Sequence, residues 1–491
     1  MATIVTADIS ALLDAVVNGD DASIIARTLD LLGPQKVPPA KIAARVGIPA
    51  AWGGGDGHPL SVLSVTGKVA EWVRAIPVTT EAGFDARRRL SAAAPLVQGF
   101  KAVTDRVRTG LAAETPAMPT PIAPADVQHP GGTLGALLES AAARDLARVQ
   151  AILMGFYATG TDYRALLTAI YASLATKFAH NGHPLLFAAA GSRVLDMADW
   201  GDRAPAYIYW VSSFLLDDSI DSPVSEAAKS FAASPEHDLG WLRTRLSIPR
   251  ENAAGAGFQS AVTNGTPVQA CEAVMSALKD GATPKGIASG LALCAARKVV
   301  AVPAGDTSQL LGAAHTLQYV NAVHTVMRQT QNKEVWPLLY TAACAVNSIQ
   351  VSGEPATIER GSKSPVSAVA GGLLPGTILR TIGQQMFEGD AATALSTSVR
   401  YLQMGHSRDA LAGTICSIAS SRDVVSVHGE QVHVLPAVAA AAEEYLNLPE
   451  ALAEGGNNPL LSAAVRLTVE FGTEHVLADR IQAAIEQAVN N

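Results

Sequence analysis

The peptide Gly-His-Pro-Leu occurs twice in this chain, at Gly57–Leu60 and at Gly182–Leu185, and the two copies are 125 residues apart. Two further steps of 125 lead to Ser308–Leu310 and to His433–Leu435, and a leucine ends all four segments. The segments ALLDAVVNGDD and ALLESAAARDL, at 11–21 and 136–146, keep the same spacing. Self-similarity at a fixed period is the sequence signature of a repeat architecture. The pattern predicts four related units of about 125 residues each.

Each predicted unit has the composition and periodicity of helices. Apolar residues recur three to four positions apart, as in Leu166, Ile170 and Leu174, and alternating β-branched stretches are nearly absent. Segments rich in Pro and Gly separate the units. We therefore expect an all-α protein, packed as a helical repeat or as a closed multi-helix stack around a central site and fused into one or two globular bodies. The predicted units are 1–112, 134–250, 255–352 and 366–491, with a linker at 113–133.

Composition excludes several classes of protein. With 491 residues, 48% hydrophobic and 16% charged, the chain is too apolar to be disordered. Its net charge of -8 disfavours nucleic acid as a partner. No apolar run reaches the roughly 18 residues of a membrane span, and the first ten residues do not resemble a signal peptide. These features predict a cytoplasmic protein with no membrane partner, and they leave its oligomeric state open.

The four cysteines are expected to be buried apolar residues. They are widely spaced and form no Cys-x-x-Cys motif, so they predict neither a disulfide framework nor a zinc ribbon. The four are Cys271, Cys294, Cys344 and Cys416.

Histidines occupy equivalent places in the predicted units. His58, His183 and His433 share one place, while His315 lies seven residues beyond the same place at Ser308. If the units pack around a common axis, these imidazoles converge. A proline follows His58 and His183 directly, which predicts a helix N-terminus where the helix dipole favours a neutral ring. Imidazole ligands suit iron, copper, zinc or nickel. The candidate metal ligands are His58, His183, His315, His428 and His433.

Residues beyond the histidine cluster are candidates for a substrate pocket. Tyr319 and His324 follow His315 and are the candidate catalytic residues. Tyr207, Tyr209 and Trp210 form a second aromatic group in a chain that is only 5% aromatic. Aromatic residues at helical spacing also occur frequently in a plain hydrophobic core, and this alternative stays open.

An acidic motif favours a different chemistry. Asp217, Asp218 and Asp221 form the pattern Asp-Asp-x-x-Asp, which in all-helical enzymes holds magnesium on an isoprenoid diphosphate. A second acidic motif and an aromatic-rich pocket are missing from the sequence. A solvated helix end before Pro223 is the simpler interpretation.

Four segments of the chain resemble the questin oxidase-like family. They are GGGDGHPLSVLSVTGKVAEWVRAIP at 53–77, FAHNGHPLLFAAAGSRVL at 178–195 with the APAYIYWVSSF that follows it, AAHTLQYVNAVHTVM at 313–327, and HGEQVHVLPAVAAAAEEY at 428–445. They occur in the family's order and span most of the chain. The family has a lysine near the end of the last segment that this chain lacks.

This resemblance implies a metal-dependent oxygenase that oxidatively cleaves or oxygenates a polycyclic aromatic substrate. It implies non-haem Fe²⁺ held by His58, His183, His315 and His428, with His433 supplying a further ligand, and NADPH as an optional external reductant. Dioxygen and a small aromatic molecule would be the partners. The alternatives are a non-catalytic helical scaffold or small-molecule-binding protein and, third, the isoprenoid diphosphate enzyme.

Overall fold

The computed structural model describes residues 8–74, 76, 88–160, 163–216, 222–244, 256–351, 374–422, 430–448, 458–471 and 475–490. These residues are almost entirely helical, and no strand occurs among them. The all-α prediction is confirmed. None of the described helices is long and apolar enough to cross a lipid bilayer.

The helices of the first half lie before residue 245. They are α1 (Ser10–Asn18), α2 (Asp21–Leu32), α3 (Pro39–Trp52), α4 (His58–Arg74), α5 (Ala93–Ala112), α6 (Gly132–Ala142), α7 (Leu146–Thr159), α8 (Tyr163–Ser173), α9 (His183–Ala198), α10 (Ala204–Leu215) and α11 (Pro223–Ala232).

The helices of the second half begin at residue 256. They are α12 (Ala256–Asn264), α13 (Pro267–Lys279), α14 (Pro284–Ala301), α15 (Thr307–Gln329), α16 (Leu338–Ser348), α17 (Pro375–Phe387), α18 (Ala391–Gln403), α19 (Arg408–Ser420), α20 (Val434–Asn447), α21 (Pro459–Glu470) and α22 (Val476–Asn490).

One apolar core runs through the described part of the chain. Its buried residues extend from Ile9 to Ile485 and belong to a single contiguous cluster. The four leucines at the 125-residue spacing, Leu60, Leu185, Leu310 and Leu435, are all at most 3% exposed. Alanine contributes much of this core, because its small side chain lets neighbouring helices approach closely.

Four helices form the centre of the fold, and we call them the central ring. In this ring α4 packs on α9, α9 on α15, α15 on α20, and α20 again on α4. The remaining helices lie outside it, as α3 and α5 do against α4 and as α14 does against α15.

The ring helices all run in the same direction. Each brings a histidine to one level of the ring, and each places a charged residue at a second level ten to thirteen residues further on. The ion pairs between Glu443 of α20 and Lys68, Arg193 and Arg328 of the other three helices define that second level. A helix rises about 1.5 Å per residue, so the two levels are about 15 Å apart. Because neighbouring ring helices are parallel, long connections must carry the chain from one to the next.

Local sequence fixes where three of the ring helices begin. His58 is the first residue of α4, His183 is the first residue of α9, and His433 is the N-cap of α20. The helix α15 differs, because it begins at Thr307 with Asp306 as its cap, and His315 lies two turns inside it. The predicted helix N-termini at His58 and His183 are confirmed.

Candidate metal centre

Four histidine side chains meet at the first level of the central ring. The Nε2 atom of His183 lies 3.0 Å from Nε2 of His58, 3.2 Å from Nε2 of His315 and 3.4 Å from Nε2 of His433. The ring of His433 also packs against those of His58 and His315, with 4.8 Å between centroids in each case. Four of the five predicted ligands are therefore brought together, with His183 and His433 each in contact with the other three. The fifth, His428, lies outside the described residues.

These spacings are those of ligands around one metal ion. Imidazole nitrogens bind zinc and similar ions at about 2.0–2.1 Å, which places neighbouring ligand nitrogens about 3.0–3.4 Å apart in tetrahedral or octahedral geometry. The ligand atoms of His58, His183 and His433 lie within 4.8 Å of one another. His315 extends this group through its contact with His183.

Hydrogen bonding alone does not satisfy this arrangement. A ring nitrogen carries either one hydrogen or one lone pair, so Nε2 of His183 can make only one hydrogen bond. It nevertheless faces three other Nε2 atoms within 3.4 Å. A cation between the lone pairs would turn these repulsive contacts into bonds, so the residues present fit a transition metal.

Burial keeps His183, His315 and His433 unprotonated by lowering their pKa values. Burial first, and then the neighbouring imidazoles, lower the pKa of His183 to about 4 and that of His433 to about 3. The same two causes lower the pKa of His315 well below its usual range. At neutral pH these rings offer lone pairs, as metal ligands must.

Asp56 orients one of the four imidazoles. Nδ1 of His58 lies 2.6 Å from Oδ1 of Asp56, and this hydrogen bond lowers the pKa of the Asp56 carboxyl. A neutral His58 that donates its Nδ1 hydrogen to Asp56 presents the lone pair of Nε2 to the cluster. Carboxylate–histidine pairs of this kind commonly fix the tautomer of metal ligands. The sequence analysis missed Asp56, although its position two residues before His58 was visible.

A left-handed turn aims His183 at the cluster. His180, Asn181 and Gly182 have φ values of 45°, 58° and 83°. A side chain on Gly182 would overlap the ring of Tyr319, so only glycine allows this approach. Gly57, directly before His58, is held against the ring of Phe187 in the same way. Each of these aromatic residues follows a ligand histidine of the next ring helix by four positions.

Aromatic residues form one wall of the candidate centre. The ring of Phe187 lies 5.1 Å from that of His58 and 5.2 Å from that of His183. Behind it lie Phe214 and Trp210, at 5.0 and 6.4 Å between centroids. Phe187 makes the ring contacts with His58 and His183, and Trp210 lies behind it. Phe187 was not predicted from the sequence, although it is four residues after His183 on the same helical face.

The two predicted catalytic residues lie away from the exposed side of the site. Tyr319 is fully buried, and its hydroxyl has no hydrogen-bond partner among the described residues. Burial raises its pKa. His324, nine residues after His315, pairs through Nδ1 with Oε2 of Glu444 at 2.7 Å, in a position where both side chains are at most 4% exposed. The structure thus brings neither residue into the cluster of four histidines.

The second level of the ring is a charge cluster. Glu443 is bound by Lys68 and Arg328 at 2.7 Å and by Arg193 at 3.2 Å. Burial by itself would raise the pKa of Glu443, but the three cations outweigh it and hold that pKa well below its usual range. The sequence analysis did not single out these residues.

The acidic motif of the rival hypothesis, Asp217, Asp218 and Asp221, lies outside the described residues.

Comparison of the chain with protein-family models, with curated proteins and with solved structures found no match. The resemblance to the questin oxidase-like family therefore stays a hypothesis.

Proposed function

We propose that the central ring holds one transition-metal ion through His58, His183, His315 and His433, and that the protein is a non-haem iron oxygenase of polycyclic aromatic or other small organic molecules. The convergence of four Nε2 atoms carries this proposal, with spacings of 3.0 to 3.4 Å around His183. His428 is a further candidate ligand. Copper, zinc and nickel fit the same ligands, and iron is preferred on the family resemblance.

The residues of the site would have separate roles in this function. The four histidines would hold the iron ion, which would supply the binding and reduction of dioxygen that protein side chains cannot perform. Asp56 would keep His58 in the ligating tautomer. Phe187 presents an apolar face beside His58 and His183, and such a face suits an aromatic substrate and excludes water. His58 and His433 are only half-buried, which opens this side of the site to ligands.

The charge cluster supports the proposal of four repeated units. Lys68, Arg193, Gln318 and Glu443 follow one another at intervals of 125 residues, the spacing of the histidines. Lys68 and Arg193 bind Glu443, while Gln318 donates to the backbone carbonyl of His433 at 2.8 Å. Three of these four positions, those of Lys68, Arg193 and Glu443, meet at the second level of the ring, whereas Gln318 lies at the level of the histidines and Arg328 reaches Glu443 in its place.

Metal analysis and oxygen uptake together test the function. The protein, loaded anaerobically with Fe²⁺, should bind about one ion and then consume dioxygen only when a hydroxylated anthraquinone or a related aromatic is added. Parallel reactions with and without NADPH show whether an external reductant is needed. If the protein binds iron but consumes no dioxygen with any of these aromatic compounds, the oxygenase proposal is refuted and the proposed metal centre is retained. A chain with no affinity for any transition metal would refute both and favour the non-catalytic scaffold or binding protein.

A further inference from the structure

Two of the four cysteines lie side by side far from each other in sequence. The Sγ atoms of Cys271 in α13 and Cys344 in α16 are 3.4 Å apart. Both side chains are at most 1% exposed. Cys294 and Cys416 are buried and free as well.

We propose that Cys271 and Cys344 are a peroxide-reactive thiol pair that closes into a reversible disulfide. The sulfur atoms need to approach by about 1.4 Å to reach the bonded distance of about 2.0 Å. The helices that carry the two residues already pack against each other. No large movement of the fold is required.

The contact between the thiols distinguishes their roles. The hydrogen bond between them lowers the pKa of the Cys344 thiol and raises that of Cys271. A lowered pKa favours Cys344 as the attacking sulfur, with Cys271 as the resolving one.

Burial selects the oxidant. A bulky disulfide reagent has no access to sulfur atoms that are almost completely covered, whereas hydrogen peroxide is close to water in size. The Cys344 thiolate attacks one peroxide oxygen, the O–O bond breaks, and the departing hydroxide leaves as water after taking up a proton. The sulfur of Cys271 then attacks the resulting sulfenic acid, the S–O bond breaks, and a second water leaves with the Cys271 proton. Two thiols lose two electrons, and one peroxide is reduced to two waters.

The disulfide would close a loop of the chain that contains His315. Residues 272–343 lie between the two cysteines and contain all of α14 and α15. A disulfide that closes a loop of this length restricts the unfolded chain and raises the stability of the fold. Oxidation of the two thiols is independent of the metal centre, because the reaction requires no bound metal.

Mass spectrometry of the whole chain tests the pair. Mild hydrogen peroxide should lower the mass by about 2 Da, peptide mapping without reductant should show a Cys271–Cys344 link, and a dithiol should restore the thiols. The oxidised protein should unfold a few degrees higher than the reduced one. An aromatic disulfide reagent should leave the native thiols unmodified until the protein is denatured.

Matched variants locate the reaction. Cys344→Ala and Cys271→Ala should each abolish the loss of about 2 Da, whereas Cys294→Ala, at another buried cysteine, should retain it. The peptide map of the unsubstituted protein decides the question even where a variant fails to fold. Mass gains of about 16 or 32 Da without a link, or a link that forms only in the denatured chain, would overturn the proposal.

Discussion

Lys68 of α4 donates to Oε1 of Glu443 of α20 at 2.7 Å, ten residues beyond His58 and His433, which face each other on the same two helices. The ion pair and the histidine pair together fix the register of two parallel helices at two levels. Arg193 and Arg328 bring the other two ring helices to the same carboxylate. Glu443 therefore links all four helices that hold the candidate metal centre.

Glu443→Gln should destabilise the protein and reduce its sensitivity to acid. It leaves three cations without their carboxylate, which costs roughly 2–4 kcal/mol at pH 7. The folded-state pKa of Glu443 lies below the usual value of 4.5, so the unfolded chain binds the extra proton as the pH falls. The stabilisation is complete above the unfolded-state pKa and is lost as the pH falls toward the folded-state pKa. Urea unfolding at pH 7 and at pH 4 measures both effects.

The exposed Glu388 supplies the control for this prediction. Glu388→Gln should change the free energy of unfolding by less than about 0.5 kcal/mol at either pH. Equal effects of the two substitutions would show that the charge cluster does not hold the ring together.

His183→Ala should abolish metal binding. The Nε2 atom of His183 is the one in contact with those of the other three histidines, so its loss removes the central ligand. Metal content after loading with Fe²⁺ and gel filtration gives the readout. His129→Ala is the matched control, because His129 lies outside the cluster, where it accepts a hydrogen bond from Gly131 and lies 3.6 Å from Glu139. Retention of stoichiometric metal by a folded His183→Ala protein would exclude the proposed ligand set.

Asp56→Asn should weaken metal binding without removing it. The substitution takes away the carboxylate that accepts the Nδ1 hydrogen of His58, and such changes lower metal affinity about 10–100-fold. Competition with a chelator of known affinity measures the shift. Asp105→Asn, at an exposed carboxylate paired with Arg108, should leave the affinity unchanged. The same affinity in both variants would mean that Asp56 has no part in the site.

Gly182→Ala should destabilise the turn that positions His183. An alanine there would have a positive φ, and its methyl group would overlap the ring of Tyr319. Together these effects should lower the free energy of unfolding by about 2–5 kcal/mol. Gly305→Ala separates the two causes. Gly305 has nearly the same φ, 81° against 83°, but no atom stands where its Cβ would lie, so its cost should be about 1–2 kcal/mol. Equal losses in urea unfolding would show that the contact with Tyr319 contributes nothing.

The spacing of the histidines gave more information than their number. His58, His183 and His433 were predictable because they recur at one interval, and His58 and His183 also stand between a glycine and a proline at the start of a helix. His315 was predictable only because it lies seven residues from the position that the interval gives. In the structure α15 begins two turns before His315, and this places His315 at the level of the other histidines. Periodicity and composition likewise sufficed for the all-α class.

Contacts between helices that are distant in the chain could not be predicted from the sequence. Phe187 occupies an ordinary core position on α9, and nothing in its neighbourhood indicates that it packs against His58. Glu443 and Glu444 were not singled out from the sequence, yet both are buried, because Arg328 reaches Glu443 and His324 reaches Glu444 from another helix. The Cys271–Cys344 contact likewise depends on how α13 and α16 pack.

Anomalous diffraction from crystals of the Fe²⁺-loaded protein would locate the metal ion. We expect one strong peak at the iron edge, about 2.0–2.2 Å from Nε2 of His58, His183 and His433, with His315 as a further ligand. A metal-loaded crystal with no peak among these four imidazoles, or with its peak elsewhere in the chain, would contradict it.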